Sequence, residues 1–166
     1  MQLVFNMKKI LNHIQLITFK NFVIACGIAI CMFISTAGKA PQSTLTAIGN
    51  VSGAPTEMKF SELRAVMKGE KQRWKNGKRI VIALMKTNTP LGKTTSSKIY
   101  DMSGDELNKY WLSLVFQGKA QAPVFFTSVG DLQNFVAQNP GAIGIIDKPV
   151  SNAEVRSVVI DGKTSF

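Results

Sequence analysis

"RIVIALMKTNTPLG", residues 79–92, passes from an unbroken apolar run through a polar turn to a helix start. A strand exposed on one face alternates apolar with polar residues, whereas a strand covered on both faces is apolar throughout. The run at 79–85 is of the second kind, so it predicts an inner strand with helices above and below the sheet. Thr89 followed by Pro90 marks the helix: a hydroxyl at the N-cap, then proline at the first helical position, where a missing N–H is harmless. A turn at the carboxyl end of an inner strand is where open α/β sheets usually hold ligands.

The turn is therefore the candidate site. The N–H groups of Leu91 and Gly92 are expected to be free at the positive end of the helix, where an anion is favoured. Thr87, Asn88 and Thr89 supply polar side chains and Lys93 a charge, with further hydroxyls at Thr94, Thr95 and Ser96. Residues 84–98 contain six hydroxyl side chains, three lysines and no acid. Gly92-Lys93-Thr94 looks like the tail of a phosphate-binding P-loop, but the glycine that should open such a loop is absent. An ordinary capped helix holding only water accounts for the same residues.

Outward from this segment the pattern is regular. Upstream lie a strand at 44–51, a break at Gly53 to Pro55, and a helix with Ser61 at its N-cap, Leu63, Val66 and Met67 on one face and Gly69 past its end. Asn76-Gly77 makes the turn that leads into the inner strand. Downstream, Ser103 and Glu106 form a capping box for a helix whose apolar stripe is Leu107, Tyr110, Trp111, Leu114 and Val115. Tyr110 and Trp111 at this spacing are core rather than a stacking pair for a ligand. Ser128 and Asp131 start a further helix carrying Leu132, Phe135 and Val136, which Asn139-Pro140-Gly141 stops. Strands at 142–147 and 155–160 close the chain. The fold class is α/β, a single three-layer domain.

The N-terminus reads separately. Lys8, Lys9 and Lys20 precede an apolar and small run at 22–34 and then Ser35-Thr36-Ala37, the order of a secretory signal. Residues 1–37 are assigned to a signal peptide and 38–166 to the domain, which places the protein in the periplasm or outside the cell. An uncleaved anchor and a lipoprotein box at 23–26 are the competing readings; the apolar run of 13 residues is short for a membrane span of about 20. Cys26, Cys31 and His13 all fall in this presequence. The domain after it then has no histidine or cysteine, which excludes Ser-His-Asp and Cys-His catalysis, imidazole or thiolate metal sites, and disulfides. Asp101 and Asp105 read as acids at a helix start, and no nucleophile-base pair is visible, so the chain is read as a non-enzyme without cofactor or metal.

Charge points the same way. The chain carries +10, or +7 without the three presequence lysines, and nine basic residues face Glu70 alone between positions 68 and 98. Such an excess raises the local potential for anions. Nucleic acid is not expected as a partner, because export removes the chain from it and no binding motif is present.

Four blocks, 60–82, "NTPLG" at 88–92, 107–123 and "VGDLQNFVAQNPGAIGIID" at 129–147, resemble the substrate-binding proteins of phosphate ABC transporters, in particular short single-domain members. The resemblance implies one lobe of a type II periplasmic binding protein, with an oxyanion at the helix start and Thr89 in place of the usual serine. It departs at Gly92 and Thr95, where that family has a basic and an aromatic residue. The expected function is non-catalytic binding of a small phosphate-like oxyanion, linked to ABC-type uptake through a permease or envelope protein. The alternative is a single-lobe interaction or sensor module that docks a protein partner, or a second copy of itself, through its basic face.

Overall fold

The computed structural model describes residues 44–166; the expected signal peptide at 1–37, with His13, Cys26 and Cys31, lies outside the described residues. The elements in chain order are β1 (Thr46–Asn50), β2 (Glu57–Met58), α1 (Phe60–Met67), β3 (Val81–Met85), α2 (Pro90–Thr95) and a π-helical turn (Ser96–Tyr100) that continues α2. They are followed by α3 (Gly104–Phe116), β4 (Val124–Phe126), α4 (Val129–Gln138), β5 (Ala142–Ile146) and β6 (Val155–Ile160). The strands form one mixed sheet in the order β2-β6-β1-β5-β3-β4. β1 runs antiparallel to β5 and β6, while β3 runs parallel to β5 and β4.

Register shows how the layers form. Gly144 in β5 lies beneath α4, where an added Cβ would come within 2.8 Å of the Leu132 side chain. Ile48 pairs with Gly144 and so faces α4 as well. Asn50, two residues on, donates from its amide to the carbonyls of Val136 (2.9 Å) and Ala137 (2.8 Å), tying β1 to the end of that helix. Ile143 and Ile145 point to the other face and are as fully buried, so a second layer covers them. That layer is α1, the π turn and α3, which contribute Leu63, Val66, Met67, Ile99, Tyr100, Leu107 and Trp111 to the same core. A buried leucine such as Leu63 stabilises the fold by about 1.5–3 kcal/mol.

Two polar devices lock this second layer. The hydroxyls of Tyr100 and Tyr110 donate to the carbonyls of Met67 and Lys68, both at 2.7 Å, closing the open end of α1. Burial pushes both phenols above their ordinary value, so they stay protonated donors. Beyond α4, Gly141 has φ +91 and its Cα lies against the Arg79 carbonyl, where a Cβ would sit 2.4 Å away. Its own carbonyl accepts the Trp74 indole N–H at 2.8 Å, so the Asn-Pro-Gly stop also seats the loop that precedes β3.

Several expectations need correction. α1 begins at Phe60 with Lys59 at the N-cap and no side-chain cap, so Ser61 lies inside the first turn. The Phe60 N–H instead donates to the Asp161 carboxylate at 3.3 Å, and its ring packs edge-on against Phe166 at 5.4 Å. A distant contact has replaced the local cap. β3 starts at Val81 and lies second from the edge, because the short strand β4, which its sequence does not announce, pairs outside it. Val115 is exposed rather than core. Among the described residues no helix is long and apolar enough to cross a membrane.

Candidate anion site at the end of β3

β3 ends at Met85, and the chain turns at once. The Thr89 N–H donates to the Lys86 carbonyl at 2.9 Å, closing a four-residue turn around Thr87 and Asn88. Thr89 then has extended backbone angles (φ −81°, ψ 156°) and acts as the N-cap of α2: its hydroxyl oxygen accepts the Gly92 N–H at 3.0 Å and donates to the Lys86 carbonyl at 2.8 Å. The sequence signal of Thr-Pro is thus realised as a doubly bonded cap. Pro90 has no N–H, the Gly92 N–H is held by Thr89, and that of Lys93 by the Thr89 carbonyl at 2.9 Å. The expectation of two free N–H groups is corrected to one: only Leu91 is left without an acceptor among the described residues.

Gly92 has a steric task instead. A Cβ there would lie 2.0 Å from the Lys86 carbonyl oxygen, so no other residue permits the turn to close this tightly. The absence of a basic side chain at this position follows from that contact. Leu91 is buried, while Asn88 and Lys93 are exposed and Thr87 is half-buried. Thr87 accepts the side-chain amide of Asn108 at 3.1 Å, and Gly104 at the start of α3 packs so closely that its Cβ would meet Thr87 at 2.9 Å. The turn and the first turns of α3 therefore form one surface.

The other hydroxyls of the segment are spent locally. Thr94 donates to the Pro90 carbonyl at 3.1 Å, Ser96 to Gly92 at 2.8 Å and Ser97 to Thr94 at 3.1 Å. Thr95 and Ser96 are buried. Hydroxyls that bond back along a helix loosen its regular ladder, and the helix widens here into the π turn that carries Ile99 and Tyr100 into the core. Thr94 and Ser96 are not available as ligand donors, contrary to expectation. Asp101 is also accounted for, since it pairs with Arg64 on α1.

Electrostatics set this helix start apart. α1, α3 and α4 each have an acidic residue in the first turn, Glu62, Asp105 with Glu106, and Asp131; α2 has none. Glu106 accepts the Ser103 backbone N–H at 2.8 Å, which holds its carboxyl below the usual range. Lys71 donates to Glu62 at 2.7 Å with the same effect. The turn and α2 themselves carry Lys86 and Lys93, while Asp105 and Glu106 lie in the first turn of α3, whose Gly104 packs against Thr87. Sequence reasoning omitted Lys86 and Asn108. Lys86 directly follows the strand and could have been read from that position, whereas Asn108 reaches Thr87 only through tertiary packing.

No family model matches the chain, and no curated protein sequence matches it. Solved structures do match its fold. An ABC-type phosphate transport receptor from Vibrio cholerae superposes with a TM-score of 0.52 at 16% identity, over 74% of this chain and 48% of that one. PstS from Borrelia burgdorferi gives 0.54 at 17%, over 72% and 48%. A phosphate ABC transporter substrate-binding protein with bound phosphate from Clostridium perfringens gives 0.54 at 15%, over 72% and 46%. The chain spans about half the length of each and has the α/β fold of one lobe of such binding proteins.

Proposed function

We propose that the protein is a non-catalytic, single-lobe binding module, periplasmic or extracellular, that holds a small phosphate-like oxyanion at the turn of Thr87, Asn88, Thr89, Leu91, Gly92 and Lys93. The observation that carries the reading is the start of α2: a hydroxyl cap and an unpaired Leu91 N–H between Lys86 and Lys93, with no carboxylate in the first turn. Solved structures with this fold include one with bound phosphate, which supports the ligand class. An ABC permease or another envelope protein is the matching partner, since those proteins serve transport.

With one lobe the anion has contacts on one side only, so the expected affinity is weak, with Kd on the order of 1 mM, or about −4 kcal/mol. Titration calorimetry with phosphate and sulfate tests it, with phosphorus-31 line broadening as a second readout. Heat and broadening that disappear in Lys93→Glu support the proposal. Silence toward both anions at tens of millimolar overturns it.

A further inference from the structure

The loop that precedes β3 holds the one Asn-Gly pair of the chain, Asn76-Gly77. Its stem is the antiparallel bridge of Arg73 with Arg79. The Trp74 N–H donates to the Lys78 carbonyl and the Gly77 N–H to the Trp74 carbonyl, both at 2.9 Å. With Gly77 at φ +80, Lys75, Asn76 and Gly77 form a three-residue hairpin loop that ends in a left-handed residue. Asn76 and Gly77 are both exposed, and a Cβ built on Gly77 would meet nothing within 4 Å.

An asparagine followed by glycine carries its own reaction. The Gly77 amide nitrogen, after giving its proton to water or hydroxide, attacks Asn76 Cγ. The new N–C bond closes a five-membered imide, the Cγ–Nδ2 bond breaks, and ammonia leaves with a proton taken from water. A second water then opens the imide at either carbonyl, which leaves aspartate or isoaspartate at position 76. Glycine puts no side chain over the attacking nitrogen, whereas every other asparagine of the chain is followed by a residue that has one.

The fold holds this reaction back. The nucleophile is engaged, because the Gly77 N–H points at the Trp74 carbonyl. The leaving amide is engaged as well: Asn76 Nδ2 donates to the Gly53 carbonyl and its Oδ1 accepts the Lys78 N–H, each at 3.1 Å. Two further contacts keep the loop shut. The indole N–H of the buried Trp74 donates to the Gly141 carbonyl at 2.8 Å, and the Arg73 guanidinium donates to the Gly77 carbonyl at 2.9 Å. Ring closure therefore requires the loop to open locally.

We propose that Asn76 is a site of spontaneous deamidation and that the Trp74 and Arg73 contacts set its rate. The products do not fit the loop as asparagine does. A carboxylate only accepts hydrogen bonds, so aspartate loses the bond to the Gly53 carbonyl and faces that oxygen with another acceptor. Isoaspartate adds a methylene to the main chain and breaks the three-residue loop length. The modification is independent of the anion site and would stand if no anion bound.

Ageing protein expressed from the full-length sequence at mildly alkaline pH tests the proposal, with peptide mass spectrometry to find the amide-to-acid mass gain and electron-transfer fragmentation to locate isoaspartate. The expected first product carries the change at residue 76 and forms about tenfold more slowly than in guanidinium chloride, the ratio set by loop opening. Asn76→Gln should abolish it. Trp74→Phe should raise the folded-state rate several-fold; Arg73→Ala, at an exposed position, does the same service should circular dichroism show Trp74→Phe unfolded. Conversion first at another asparagine, a residue 76 that keeps its amide throughout in the folded protein, or a folded rate equal to the denatured one overturns the proposal. A rate that neither variant raises refutes the part given to Trp74 and Arg73.

Discussion

α2 and α3 start with the same device and end in opposite electrostatic states. At α3 the Ser103 hydroxyl accepts the Glu106 N–H at 3.3 Å, and the Glu106 carboxylate returns to the Ser103 N–H, so the helix carries its own anion. α4 uses a variant, with Ser128 accepting the Asp131 N–H at 3.1 Å and donating to its carboxylate at 2.8 Å. At α2 the cap is made by Thr89, but the position that would hold the returning carboxylate is Gly92, pressed against the Lys86 carbonyl. The tight turn after β3 therefore also keeps a carboxylate from this position of α2. Two helices carry their own carboxylate, and the third has none, which is where we propose that a soluble anion binds.

The sharpest way to break this contrast is to put a side chain at Gly92. Gly92→Ala forces its Cβ onto the Lys86 carbonyl and should destabilise the domain by about 3 kcal/mol, read as a shift of the urea midpoint. A stability close to wild type would show that the turn can relax and that Gly92 does not keep the site open. Next in size is a matched pair of cap deletions. Thr89→Ala and Ser103→Ala should each cost about 1 kcal/mol of stability, yet only the first should remove the heat of phosphate binding. Equal loss of binding in both would make the anion effect a by-product of stability.

The smallest effect concerns pH. Hydrogen bonding from Ser103 depresses the Glu106 carboxyl in the folded state, so its contribution is present above the ordinary glutamate range and is lost as pH falls through the folded value. Glu106→Gln should therefore flatten the acid limb of a stability-against-pH curve and leave the region near neutrality little changed. An unchanged acid limb would mean that the capping box is not held in solution. No comparable acid dependence should come from the start of α2, which has no carboxylate to titrate.

Much of the fold was legible because its signals are local. The apolar run before Lys86, the Ser103/Glu106 and Ser128/Asp131 caps and the Asn-Pro-Gly stop each depend on residues within a few positions of one another, and they fixed β3, α3, α4 and β5. What escaped depends on distance. Phe60 opens α1 because Asp161 and Phe166 meet it from the far end of the chain, and no pattern near Ser61 could reveal that. β2 and β4 have two and three residues, too few for a period, and form because β6 and β3 offer them an edge.

The site divides in the same way. Thr89 and Pro90 announced the helix start through their chemistry alone. The occupied Gly92 N–H and the returning hydroxyls of Thr94 and Ser96 were hidden, because a sequence gives donors without saying where they point. Asn108 joins Thr87 only after α3 has packed beside the turn.

The most direct test supplies α2 with the carboxylate it lacks. Aspartate at the N-cap still accepts the Gly92 N–H, although it cannot donate to the Lys86 carbonyl, so Thr89→Asp should keep the domain folded within about 1 kcal/mol of wild type. Calorimetric titration of this variant with phosphate, beside wild type, is the decisive measurement. Wild-type heat that vanishes in a folded Thr89→Asp protein is the predicted result; phosphate binding of undiminished affinity in that variant would contradict the account.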